Sequence, residues 1–322
     1  MEKKIARFCG RKFCIGTASG TDALYLAVRA LDIGKGDEVI TSPMTWVSST
    51  NSIIMNNAKP VFVDIKNDLN IDETKIENSI NKKTKAILYV NYTGKVANTK
   101  KILSVAKKYK LKVIEDCAQS FGSRRYGRPS GFFGDISCFS FNPMKVLPSL
   151  GEAGAVLTNS KKINDKLKIL RYAGTISKEN CVEPSLNFKI DTIQASFILE
   201  YLKIVNKLIN KRIKIAKSYN DGLVNKIVKP MTEKNCLDSY YTYTIQVKNR
   251  DKLLKYLNSK GIEARVKHPI LVSDQIAYKK YDRGNLLNAS KIIKKIISLP
   301  INDKITKNQI NYVIKTVNDF YK

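Results

Sequence analysis

The chain has 322 residues, 43% of them hydrophobic, with 16 Tyr, 11 Phe and no long polar low-complexity tract, so it can bury a substantial core and disorder is excluded. A net charge of +29 admits nucleic acid, an anionic membrane or acidic metabolites as partners, but no apolar run approaches the roughly 18 to 20 residues of a membrane span. Six scattered Cys without a CxxC pair, and a single His, speak against a zinc site, and no metal is expected.

The start, MEKKIARFCGRK, has no apolar signal core behind its charges, which points to the cytoplasm and to free thiols. From Cys14 to Asn159 short β-branched runs alternate with helical stretches, the pattern of an α/β protein whose mostly parallel sheet is covered by helices. The strands are EVITS, PVFVDI, KAILYVN, KVIED, ISCFSF and GAVLTN; TDALYLAVRALDI, STNSIIMNN and TKKILSVAKKYK lie between them, with turns at Gly34, Gly36, Asp68 and Asn70. After Thr158, SKKINDKLKILRYA reads as a helix and DTIQASFILEYLKIVNKLINKRIKIAKSYNDGL as one or two long ones. Beyond about Lys229 a smaller α+β pattern follows. YYTYTIQV and EARVKHPI read as strands, RDKLLKYLNSKGI as a helix closed by Gly261, and NASKIIKKIISL and TKNQINYVIKTVNDFYK as two helices. A large domain over 1–205 and a C-terminal one over 206–322 are expected, with no internal repeat.

The 46 Lys outnumber the 11 Arg and sit on polar helix faces, as in KKILSVAKKYKLK and KIIKKII, opposite an apolar stripe. That is a solvated surface without a nucleic-acid signature, although its field suits phosphorylated substrates.

Three stretches carry chemistry. In KVIEDCAQSFG a strand runs out into Glu115, Asp116 and Gln119, where ligands of an open parallel sheet bind, although a plain helix cap reads the same way. In TASGTDALYLAV the small residues Ala18, Ser19, Gly20 and Thr21 lead into a helix, offering a phosphate free N–H groups or, more plainly, forming an N-cap. In SFNPMKVLPSLGEAG, Lys145 follows a strand end at Ser140 among Pro143, Met144, Val146 and Leu147; shielding lowers a lysine's pKa and frees its amine for carbonyls. A phosphate turn, Trp46, an Asp-x-x-Gln pair and this lysine, in that order, are the kinds of group that pyridoxal 5'-phosphate requires.

Through SGTDAL, GDEVITSPMTWVSS, PVFVDI, VIEDCAQSFG, GDISCFSFNPMKVLPSLGEAGAV, NFKIDTIQAS and GIEARVKHP, nearly the whole chain resembles the DegT/DnrJ/StrS-type aminotransferases, most of which aminate keto groups on nucleotide-linked sugars. The resemblance implies a fold type I transferase with a mostly parallel, mixed seven-stranded sheet. It also implies that Lys145 makes the Schiff base, Asp116 pairs with the pyridinium nitrogen, Gln119 bonds the phenolic oxygen and Trp46 lies against the ring. Gly20, Thr21 and Ser140 hold the phosphate, joined by Asn187 from the partner of an obligate homodimer. The amino donor is L-glutamate by the same resemblance, and the acceptor an anionic ketone serving surface-glycan or amino-sugar biosynthesis.

Departures from the family pattern bear on the acceptor. Only 16 residues precede Thr17, so either the substrate mouth is built differently or the start is trimmed. Lys267-His268-Pro269 stands where relatives read roughly His-Tyr-Pro, which makes Lys267 and His268 substrate candidates. Lys189 and Lys95 replace a common Arg and Gln, giving point charges in place of a planar fork or an amide. The same chemistry on a small phosphorylated or cyclic ketone, such as dihydroxyacetone phosphate, and a non-catalytic cofactor-binding regulator are the other readings.

Overall fold

The computed structural model describes residues 1–177, 180–281 and 284–322. Seven strands build its main sheet: β1 (Phe13–Thr17), β2 (Glu38–Thr41), β3 (Lys59–Phe62), β4 (Thr84–Val90), β5 (Lys112–Asp116), β6 (Ile136–Ser140) and β7 (Gly154–Thr158), in the order β1-β7-β6-β5-β4-β2-β3. All six expected strands are present. The sheet edge adds β1, a strand beyond those six, and a first helix, α1 (Glu2–Cys9), precedes it.

Strand β7 alone runs antiparallel to its neighbours, β1 and β6. A parallel return needs a crossover of a dozen or more residues, usually a helix. The stretch from Phe141 to Ala153 holds two prolines and no helix, so the chain turns straight back, and Ser140 pairs with Gly154. This turn is what leaves Lys145 beside the carboxyl ends of the parallel strands.

Helix α2 (Gly20–Ala30) begins where Ser19 accepts a hydrogen bond from the Asp22 N–H, and buries Ala23, Leu24, Leu26, Ala27 and Val28. With Ile15, Leu88, Ile114, Ile136 and Val156 these form the core on one sheet face. Phe139, Leu157 and Phe121 face the other side, against α1 and the first half of a long later helix. Full burial of each large apolar side chain contributes about 1.5–3 kcal/mol. Helices α3 (Val47–Ile54), α4 (Thr99–Lys108) and α5 (Lys161–Arg171) complete the layers.

The segment expected to hold one or two helices is one, α6 (Thr192–Gly222). It runs through the expected 205/206 division: Val205 and Ile209 join the core beside Phe139, whereas Ile215, Ala216 and Tyr219 join a second core. That second core includes β8 (Tyr243–Gln246), α7 (Arg250–Ser259), β9 (Ile296–Leu299) and α9 (Lys307–Phe320). The other strands among the described residues are two or three residues long.

Two C-terminal expectations are corrected. NASKIIKKIISL is not one helix. It gives α8 (Leu287–Ile292) and then β9, because IISL pairs antiparallel with β8 and that partner outweighs the helical period. EARVKHPI is not a strand. Arg265 exchanges both backbone hydrogen bonds with Ser298, but His268 takes a left-handed φ of 52° and Pro269 has no N–H, so pairing stops. Among the described residues no helix is long and apolar enough to cross a membrane.

Candidate active site

Asp116 closes β5 at the sheet's carboxyl edge, with its side chain buried. Ser49 Oγ donates to one carboxylate oxygen at 2.7 Å and the Ala118 N–H to the other at 3.0 Å. Burial pushes its pKa up, opposed by those two hydrogen bonds and by the charge of Lys145. Lys145 lies in the β6–β7 turn, where Ser149 Oγ reaches the carbonyls of Phe141 (2.6 Å) and Gly151 (2.5 Å) and the Lys145 N–H bonds Asn142 O at 2.8 Å. Burial draws the Lys145 ammonium below its ordinary pKa, opposed by Asp116 and Glu152. A buried carboxylate at the end of β5 and a shielded amine in the turn after β6 therefore act on one another through their charges.

Gly20, at the first turn of α2, abuts Ser140. A Cβ on Gly20 would stand 2.5 Å from Ser140 Cβ, and one on Gly154 would stand 2.3 Å from Ser19 O. The strand ends and the helix start thus touch backbone to backbone, leaving the free N–H groups of α2 open to an anion. Thr21 Oγ1 shares a 2.8 Å hydrogen bond with Ser48 Oγ. Gln119 Oε1 accepts from the Thr93 N–H at 2.9 Å, which leaves its NH2 free to donate.

Trp46, the residue before α3, is 59% exposed, and its ring centroid is 5.6 Å from that of His268. His268 Nδ1 shares a 3.0 Å hydrogen bond with Tyr92 Oη. Burial, then Lys267 and Lys145, lower the His268 pKa to about 4, so the ring is neutral at neutral pH and can serve a ligand by hydrogen bonding only. Asn187 is exposed. Its side chain accepts from the Lys189 N–H at 3.3 Å, and among the described residues it bonds none of Gly20, Thr21 or Ser140.

Sequence reasoning missed Ser49 and Tyr241. Ser49 lay in an unremarkable helix. Tyr241 lay in an aromatic run read as strand, yet its hydroxyl is 3.4 Å from Lys145 Nζ and its ring centroid 3.7 Å from Lys267 Nζ. Burial and the charges of Lys145, Arg265 and Arg212 lower the Lys267 pKa to about 7.

The model of the DegT/DnrJ/EryC1/StrS aminotransferase family matches residues 1–318. The chain belongs to that family. It is 35% identical over 321 residues to the dTDP-3-amino-3,6-dideoxy-alpha-D-galactopyranose transaminase of Aneurinibacillus thermoaerophilus, covering 99% of this chain and 88% of the relative. It is 33% identical to the UDP-2-acetamido-2-deoxy-3-oxo-D-glucuronate aminotransferase of Pseudomonas aeruginosa, covering 97% and 88%. Among solved structures, S. venezuelae DesV in complex with a ketimine intermediate superposes with a TM-score of 0.96 at 30% identity, covering 100% and 88%. Enzymes of this aminotransferase family depend on pyridoxal 5'-phosphate. The residues present fit that group: a cradle that a single Cβ on Gly20 would fill, a buried carboxylate and a shielded amine.

Proposed function

We propose that the chain moves an amino group from an amino acid, L-glutamate, to a keto carbon of a nucleotide-linked sugar, in the cytoplasm, for surface-glycan or amino-sugar biosynthesis. The observation that carries this is the combination of a buried Asp116 carboxylate, a shielded Lys145 amine within reach of its charge, and the close approach of Gly20 to Ser140. The curated relatives reported above, both named as sugar aminotransferases, support the acceptor class.

Pyridoxal phosphate, when bound, supplies an electron sink next to the substrate carbon. Gly20, Thr21 and Ser140 would hold its phosphate, through the α2 N-terminus and two hydroxyls. Asp116, fixed by Ser49 and the Ala118 N–H, would present a negative oxygen to the ring nitrogen. Gln119, its carbonyl already engaged by Thr93, would turn its NH2 to the phenolic oxygen, and Trp46 would lie against the ring. Lys145 Nζ takes and returns a proton at the substrate carbon; its lowered pKa keeps a share of the amine free to do so. Lys267 and His268 would line the substrate side, one as an amine that an anionic ligand turns into a cation and the other as a neutral hydrogen-bonding ring.

The working unit in this account is a homodimer. Leu150 and Ile193 are exposed on two segments tied by the 2.9 Å bond from the Gly151 N–H to Gln194, with exposed Met144 and Leu186 on the same segments. A second copy covering this apolar surface would bring its own Asn187 to the phosphate. The fold would divide functionally within α6, with 1–205 holding the cofactor and 206–322 closing over the acceptor.

The test offers L-glutamate with a panel of nucleotide ketosugars and with dihydroxyacetone phosphate, and measures 2-oxoglutarate and the aminated product. Turnover on a nucleotide ketosugar is expected; turnover confined to the small ketone phosphate overturns the acceptor.

A further inference from the structure

Among the described residues, the charges that act most on Lys267 are all positive. Its Nζ stands 3.7 Å from the centroid of Tyr241, and Lys145 Nζ stands 4.8 Å from the same centroid, so the two amines are no farther apart than those distances laid end to end. The charges acting on it are Lys145, Arg265 and Arg212. Arg212 is engaged with the carbonyls of Tyr240 and Ile301, each at 3.1 Å, and Arg265 is exposed and paired with Glu263. Among the described residues Lys267 has no ion pair.

An ammonium half withdrawn from water among cations is costly to charge, and the relief available to it is a ligand anion. The Tyr241 ring fixes where that anion sits, because a cation over a π-face is held in place without being neutralised. One free amine matches one carboxylate; a diphosphate would call for several cations, and here Arg212 and Arg265 are engaged and His268 is neutral. Because both amines lie against the one Tyr241 ring, a small ligand whose carboxylate meets Lys267 can have its reacting carbon within reach of Lys145.

We propose that Lys267, seated on the face of Tyr241, binds a carboxylate of the substrate borne on or near the reacting carbon. This rests on the aminotransferase reading and deepens it. Two sources share the chemistry: the amino-acid donor, whose carboxylate is attached to the reacting carbon, and a uronate acceptor.

The test is amine labelling of the full-length protein as purified, with Lys267 followed by quantitative peptide mass spectrometry in the presence of 2-oxoglutarate, UDP-glucuronate, UDP-glucose or inorganic phosphate. A carboxylate ligand should slow Lys267 labelling by about tenfold or more, through a raised pKa and steric cover. Protection by 2-oxoglutarate assigns the donor; protection by UDP-glucuronate and not by UDP-glucose assigns a uronate. By calorimetry, Lys267→Met should weaken binding of the protecting carboxylate by about ten- to a hundredfold, the loss of one charged hydrogen bond, while Lys267→Arg keeps most of it. Labelling indifferent to both carboxylates, equal protection by phosphate, or unchanged affinity in Lys267→Met overturns the proposal. No arm requires turnover, so these outcomes stand apart from failure to aminate a nucleotide sugar.

Discussion

Replacing Gly20 by Ala forces apart the contact between α2 and β6 that shapes the phosphate cradle. The added Cβ would lie 2.5 Å from Ser140 Cβ and 3.0 Å from both its Cα and Oγ. Ser140 cannot step aside, because it is paired with Gly154 in the sheet, and Gly154 is itself pressed against Ser19 O. Overpacking of this kind costs about 1–3 kcal/mol. The helix start must move off the strand, and if one charged hydrogen bond to the cofactor phosphate is lost, affinity should fall by about ten- to a hundredfold. Urea unfolding and cofactor titration of the same variant measure both effects. Gly34→Ala is the control: its nearest contact to a new Cβ is Asn56 O at 3.5 Å and its backbone is ordinary, so stability should hold within about 0.5 kcal/mol. If Gly20→Ala binds cofactor and unfolds like the parent, the cradle is not what its geometry says.

Asp116→Ala should retain some cofactor but slow amine transfer by about a hundredfold or more, because the charge aimed at the ring nitrogen is gone; undiminished single-turnover rates would remove that role. Asp238 gives a pH prediction. Burial, ahead of the Thr232 hydrogen bond and of Lys95, Glu233 and Arg125, lifts its carboxyl to about 6, and its Oδ1 has no partner. Between about pH 4 and pH 6 the folded chain then holds a proton that the unfolded chain has lost, so this group's contribution to stability falls as pH rises. Asp238→Asn should therefore be more stable than the parent near pH 8, by up to about 3 kcal/mol, with the gain vanishing near pH 4. A pH-independent difference in urea midpoints would contradict the assignment.

Most of the sheet was legible because its strands are short β-branched runs closed by turn residues, and β5 and β6 end in the polar residues Asp116 and Ser140. β1 was missed because FCIGT is brief and ends in the same small residues that mark the phosphate turn. The C-terminal third was harder to read. IISL is helical by period and a strand only because YTIQ lies opposite it, a partner some fifty residues away in sequence. The site divides in the same way. Lys145, Asp116 and Gln119 stand at strand ends that local patterning locates, whereas Tyr241 comes to Lys145 across 96 residues of chain. Its hydroxyl and ring face are invisible to any periodicity, and so was the setting that leaves Lys267 beside it without a counter-charge.

The most direct test of the central claim is to fix the cofactor to the lysine that carries it by hydride reduction of the purified protein, and to map the modified peptide. The added mass should fall on Lys145, among 46 lysines, and should be lost together with turnover in Lys145→Ala. Modification of another lysine, or an active Lys145→Ala variant, would contradict it.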